Sequence, residues 1–133
     1  MEPIQVREAT ERAHAWSHLV IGAAIEVHRI KGPGLIESIY SKCFVRECDL
    51  KSIPVRREVL VPIEYKGHIF EEPLRLDFLI DDVLIVEFKA VEEVLPVHKA
   101  QLLSYMKLLN TPLGLLINFH EILLKDGITR MRL

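Results

Sequence analysis

Two short runs of the chain, Val83-Leu84-Ile85-Val86 and Leu113 to Asn118, are apolar on both faces. Runs of this length suit strands at the centre of a sheet whose two sides are both covered, which directs the chain toward an α/β architecture. The first run is then interrupted: Glu87 and Lys89 break it, while Phe88 and Ala90 keep it apolar. Side chains alternate along a strand, so Glu87 and Lys89 share a face. Charges at the end of so apolar a strand cost several kcal/mol if buried alone, so they need a partner, a metal ion or an opening to water.

Asp77 interrupts the preceding strand in the same way, between Leu76 and Phe78. Whether it meets Glu87 depends on parity. A two-residue turn at Asp81-Asp82 would set Asp77 opposite Val86 and leave Glu87 on the other face. A three-residue turn or a bulge sets Asp77 against Glu87, so an odd loop or bulge is expected between Leu79 and Leu84. Two carboxylates brought together raise each other's pKa unless a cation intervenes, and Mg2+ or Mn2+ is the hard ion suited to such oxygen ligands. An ion there can activate water and polarise a phosphoryl oxygen, with a lysine two residues along to stabilise developing charge. Spacing alone leaves open a plain cross-strand salt bridge of Asp77 or Glu87 with Lys89 or Arg75.

The remaining elements follow from period and punctuation. Apolar residues from Glu8 to Ile30 (Ala13, Trp16, Leu19, Val20, Ala23, Ala24, Val27) recur at helical spacing until Gly32-Pro33-Gly34. A second helix spans about Leu35 to Cys48, with Leu35, Ile36, Ile39, Tyr40, Phe44 and Val45 as its expected buried stripe. Val55 to Tyr65 reads as a strand, Lys66-Gly67 as a tight turn and His68 to Phe70 as the start of the return. Leu74 to Ile80 and Val83 to Ala90 form a further hairpin, Pro96 opens a third helix reaching about Leu109, and Leu113 to Asn118 is a central strand. Lys125-Asp126-Gly127 is a turn before an edge strand at Ile128 to Leu133. The order is α, α, β, β, β, α, β, in a single layered domain over residues 1–133, a length that suits one core.

Half of the residues are hydrophobic and 27% are charged, a globular balance, and the net charge of -2 lacks the footprint of non-specific DNA binding. A nucleic-acid surface would have to be local; Arg56 with Arg57, Lys66 with Arg75, and Lys125, Arg130 and Arg132 are the candidates, against plain solvated surface. Cys43 and Cys48 lie five apart on a helix, point in different directions and are expected to be reduced thiols of a cytoplasmic protein. The charged stretch MEPIQVREATERAHAW has no apolar leader, and no run is long enough for a membrane span.

Asp77, followed ten residues later by Glu87-Phe88-Lys89 on an apolar strand, resembles the PD-(D/E)XK nuclease superfamily. Gly34-Leu35-Ile36-Glu37-Ser38-Ile39-Tyr40 reads GxxExxY, and the chain is similar to the small GxxExxY protein family within it, from about Trp16 to Leu133. VEFKA at Val86 to Ala90, PVHKAQLLSY at Pro96 to Tyr105 and GLLINF at Gly114 to Phe119 carry the likeness. The resemblance implies a restriction-endonuclease-like αβββαβ core, a mixed central sheet flanked by helices, with an extra N-terminal helix. It implies that Asp77 and Glu87 are metal ligands, the Phe88 carbonyl a third and Glu37 a fourth, that Lys89 is the catalytic lysine, and that Gln101 with Tyr105 matches a QxxxY pattern positioning DNA or the site. Leu76 stands where the superfamily name expects proline.

Some residues have simpler readings beside these. Glu37 in a first helical turn also favours the helix dipole, Gln101 and Tyr105 can pack as an i, i+4 pair, and Tyr40 can orient Glu37. His14 and His18 share a helix face without a third ligand and read as a surface pair rather than a zinc site. His98 either lines the cleft or is a helix-start surface histidine. The expected function is a Mg2+- or Mn2+-dependent nuclease acting on nucleic acid, DNA rather than RNA. The alternative is a weakly active or inactive nuclease-fold module that binds nucleic acid or a protein partner, with a homodimer as one arrangement.

Overall fold

A computed structural model of the chain describes residues 3–133, and for residues 71–73 the backbone alone. Met1 and Glu2, the start of the charged N-terminal stretch, lie outside them. Among the described residues no helix is long and apolar enough to cross a membrane. The elements are α1 (Ile4–Lys31), α2 (Glu37–Leu50), β1 (Val55–Tyr65), β2 (His68–Ile80), β3 (Leu84–Lys89), α3 (Pro96–Leu109), β4 (Leu113–Asn118) and β5 (Ile128–Arg132). Lys125-Asp126-Gly127 belongs to a short 3-10 helix, Leu124–Gly127.

The strands form one mixed sheet in the order β1-β2-β3-β4-β5. Only β3 and β4 run parallel, joined through α3; the other neighbours are antiparallel. Helices α1 and α2 cover one face, packing Val20, Ala24, Tyr40 and Phe44 on Phe78, Val86, Phe88, Leu115 and Ile117. Helix α3 covers the other, packing Leu102, Tyr105 and Met106 on Leu76, Ile85 and Leu116. Its seat is close over Gly114, where a Cβ would lie 2.8 Å from the Met106 sulfur. With both faces covered, β3 and β4 are buried along almost their whole length, which is why their sequences carry no polar alternation.

Two helical stripes differ from expectation. Helix α1 buries Ala13, Ser17, Val20, Ala23, Ala24, Val27 and His28, whereas Leu19 is 52% exposed. On α2 the buried residues are Tyr40, Phe44 and Cys48, while Leu35 and Ile36 precede the first turn and stay exposed. Ser17 tolerates burial because its hydroxyl donates to the His14 carbonyl, and the His28 ring bonds the Glu121 carbonyl at 2.7 Å.

The β1–β2 ribbon changes face partway along. Phe78 and Ile80 join the core under α1 and α2, but Leu76, two residues earlier, joins the core under α3, as does Val61 opposite Leu74. The switch falls where Glu58, in the left-handed region at φ 49, lies level with Asp77. Lys66-Gly67 forms the expected turn at the far end of this ribbon.

Candidate metal centre

The loop between β2 and β3 has three residues. Ile80 pairs with Leu84, so Asp81, Asp82 and Val83 form the turn, and Val83 N–H donates to the Ile80 carbonyl at 3.1 Å. Asp81 and Asp82 both have positive φ, 50 and 55, which the short polar aspartates tolerate better than most residues. The acidic pair serves as a clamp: Asp81 accepts from the Trp16 indole and from Arg12, both at 3.0 Å, and Asp82 pairs with Arg56. Those donors hold the Asp81 carboxyl below its usual range, the Trp16 bond first and the Arg12 bond second. The odd count demanded by parity is therefore present.

Continuing that register by one step sets Asp77 opposite Glu87, and at this step the regular ladder gives way. The last regular pair is Phe78 with Val86. Beyond it, Asp77 N–H donates to the Glu87 carboxylate at 3.2 Å, and Phe88 N–H donates to the Asp77 carboxylate at 2.8 Å. The two strands part here, and side-chain oxygens take over from backbone carbonyls. In an extended strand the N–H and C=O of one residue point to the same side, so Phe88 turns its carbonyl toward the same opening. Lys89 faces the other way, its carbonyl accepting from Phe119 N–H at 2.8 Å.

Glu87 is only 6% exposed and Asp77 is half-buried. Burial first, and then the Asp77 charge, push the Glu87 carboxyl up to about 9; the Asp77 N–H and the Lys89 ammonium pull the other way. Among the described residues neither carboxylate forms an ion pair with Lys89 or Arg75, so the salt-bridge reading finds no counterpart in this geometry. Lys89 and Glu87 both project toward the α3 side, in phase with Ile85.

Glu37 begins α2 and is half-buried. Its carboxyl is raised by burial and then by Asp77, and lowered by Lys89, which places it within electrostatic reach of both. Tyr105, buried on α3, is raised by burial and then by Glu87 and Asp77, so its phenol lies within electrostatic reach of the pair. Gln101, one turn earlier, is exposed. His98 is occupied as a helix cap: its Nδ1 accepts from Leu95 N–H at 3.0 Å. Tyr40 donates to the Gly32 carbonyl at 2.6 Å and accepts from Leu35 N–H, bracing the turn that leads into Glu37. His14 accepts from Arg132, and His18 is exposed.

Asn118 escaped the reading of the sequence. It ends β4 opposite Lys89, is 1% exposed, and grips the chain after β3: Oδ1 accepts from Val91 N–H at 3.1 Å and Nδ2 donates to the Val91 carbonyl at 2.8 Å. A polar residue closing a wholly apolar run was the available signal.

Among the described residues no three acidic, histidine or cysteine side chains come together closely enough to hold a metal. Asp77 and Glu87 offer hard oxygen donors whose mutual repulsion a divalent cation would relieve, and the Phe88 carbonyl adds a third donor of the same kind. The donor set fits Mg2+ or Mn2+ completed by water, and Glu37 lies within electrostatic reach of Asp77.

No curated protein and no solved structure matches the chain. The family model of the PD-(D/E)XK nuclease superfamily matches residues 14–131, a span that includes Glu37, Asp77, Glu87, Lys89 and Gln101. The mixed sheet between helical layers, with an N-terminal helix added, is the restriction-endonuclease-like α/β fold that the resemblance implied. The chain belongs to the PD-(D/E)XK nuclease superfamily.

Proposed function

We propose that the chain is a metal-dependent nuclease of the GxxExxY branch, with Asp77, Glu87 and the Phe88 carbonyl holding Mg2+ or Mn2+ and Glu37 completing the site. The observation that carries this reading is the facing pair, Asp77 and the buried Glu87, at the point where β2 and β3 part. Such a pair destabilises the fold when both members are ionised, unless a cation joins them. The ion, when bound, supplies an activated water and stabilises charge on the phosphoryl oxygens. Lys89 holds the attacking water in line or neutralises the developing negative charge. Gln101, exposed on α3 one turn from Tyr105, contacts the substrate backbone and orients it. DNA is the favoured substrate over RNA, and the site belongs to a cytoplasmic protein whose Cys43 and Cys48 remain reduced.

A second reading rests on the same bonds. Both carboxylates already accept backbone N–H groups, and this closure suits a nuclease-fold module that binds nucleic acid or a protein without cutting. Incubating single- and double-stranded DNA and RNA with the chain in Mg2+ or Mn2+ separates the two. Cleavage by the native chain, lost in Asp77→Ala and in Lys89→Ala, is expected; cleavage surviving both substitutions, or none by the native chain, would discard the nuclease.

A further inference from the structure

Strand β5 closes one edge of the sheet, and its outward arginines meet the histidines of α1. Residues directly opposite on paired strands share a face, and Arg130 and Arg132 lie opposite Leu115 and Leu113, which pack under α1 and α2. The two arginines therefore stand on the α1 side of β5, and from there the Arg132 guanidinium donates to His14 Nε2 at 2.6 Å. His18 follows one helical turn after His14, on the same side of α1. Burial first, and then Arg132, Arg130 and His18, hold the His14 ring below the usual imidazole range, so the three charges that move it are all positive. Arg7 and Glu11 share this side of α1, yet among the described residues neither Arg130 nor Arg132 forms an ion pair with Glu11 or with any other acid. A cationic cluster without a counter-charge thus sits on a chain whose net charge is -2.

We infer that His14, His18, Arg130 and Arg132 form a binding site for a phosphate-type oxyanion. The site lies on the sheet face opposite to the one toward which Glu87 and Lys89 project, and it does not depend on the nuclease reading. Like charges gathered in this way repel one another, and a tetrahedral dianion relieves the repulsion while accepting charge-assisted hydrogen bonds from the guanidinium N–H groups. Arginine is the residue whose planar fork matches such oxygens. Both arginines are carried by a strand and both histidines by a helix, so the donors are held by the framework of the fold. Arg132 also walls a cleft of about 370 Å3 with Gln5, Thr10 and Asn110, which leaves room for the group that carries the phosphate. Without an anion the neutral His14 ring accepts from Arg132. With one bound, His14 takes a proton from solvent and donates to the oxyanion, and the Arg132 N–H is released to the same ligand. Binding therefore strengthens as pH falls through the histidine range.

Titration of the full chain in EDTA at constant ionic strength tests this. Sulfate, whose charge is fixed across the histidine range of about pH 5 to 8, should bind more tightly toward acid and should raise the pKa of the His14 ring followed by NMR. Arg130→Gln combined with Arg132→Gln should weaken sulfate binding by about 10- to 100-fold with unchanged circular dichroism, whereas Arg46→Gln on α2 should leave it as it is. Inorganic phosphate and a single-stranded oligonucleotide, titrated in the same way, distinguish the sources. Oligonucleotide binding that falls in the double variant assigns a nucleic-acid phosphate to the site, and phosphate binding with an unaffected oligonucleotide assigns a free phosphate. Sulfate binding that is absent or unchanged in the double variant, or a His14 ring that titrates alike with and without sulfate, would overturn the site.

Discussion

Asp77 and Glu87 hold each other's strand by side chain instead of main chain: Glu87 accepts the N–H of Asp77, and Asp77 accepts the N–H that follows Glu87. Each carboxylate thus has one oxygen committed to the backbone. In the absence of a cation the pair is most comfortable with one proton between them, because two negative charges so close and so little hydrated repel strongly.

That proton sets a pH dependence. Between the ordinary glutamate value of 4.5 and about 9, the folded chain keeps a proton at Glu87 that the unfolded chain has released. Folding takes up a proton across this window, so the contribution of this group is complete below the ordinary carboxyl range and is lost as pH rises toward the folded value. Relative to Glu87→Gln, ion-free native chain should lose ~2–3 kcal/mol, or ~10 °C in Tm, from the acid to the alkaline end of the window. Thermal denaturation of the two proteins across pH gives the difference curve.

Divalent cation should act in the opposite sense. Mg2+ or Mn2+ competes with the proton, so its stabilisation should be small in weak acid and grow with pH, reaching ~2.7 kcal/mol at about one hundred times the dissociation constant. Asp77→Asn should abolish this shift. Calcium-free titrations followed by differential scanning fluorimetry provide the readout.

Lys89 separates binding from chemistry. Lys89→Met should preserve the ion-dependent Tm shift, since the side chain donates nothing to a cation, while single-turnover cleavage falls by ~10²–10³-fold. Equal loss of both would move Lys89 from the reaction to the fold.

Asn118 and Gly127 brace the end of β4. Asn118→Leu leaves the Val91 N–H and carbonyl without their partners and should cost ~2–4 kcal/mol. A Cβ on Gly127 would lie 2.4 Å from the Asn118 carbonyl oxygen, so Gly127→Ala must shift backbone and should cost ~1–3 kcal/mol. Urea denaturation measures both.

The two thiols should differ in reactivity. Burial and the neighbouring Glu47 push Cys48 up to about 12, whereas Cys43 is half-buried. A native chain at neutral pH should therefore give one reacting thiol with a chromogenic disulfide reagent, and two only after denaturation.

Much of this was legible in the residues, and the remainder failed for definable reasons. Pro96 marks the first residue of α3, and the runs at Val55 to Tyr65 and Leu113 to Asn118 coincide with β1 and β4. Parity predicted the odd loop because alternation along a strand is a strict rule; the same rule removed Val83 from β3 and put it in the turn. Burial on α1 was less readable, since its apolar residues lie around more than one face and the packed stripe includes Ser17 and His28. Polar residues enter such a stripe only once a neighbouring carbonyl satisfies them, which periodicity does not express. The change of face in the β1–β2 ribbon depends on one unusual backbone angle at Glu58, a residue with nothing in its chemistry to announce it. Asn118 was read as the end of a strand because its partner, Val91, lies in a connection with no pattern of its own.

Trp16 is the only tryptophan in the chain, and its indole is bonded to Asp81, the residue that opens the turn between β2 and β3. Excited at the red edge of its absorption, the chain emits from that one ring. Its colour and lifetime then report whether Asp81 is still held, and through that turn whether Asp77 and Glu87 keep their alignment. The protein carries an optical gauge of its own site, needing no label and no engineered residue.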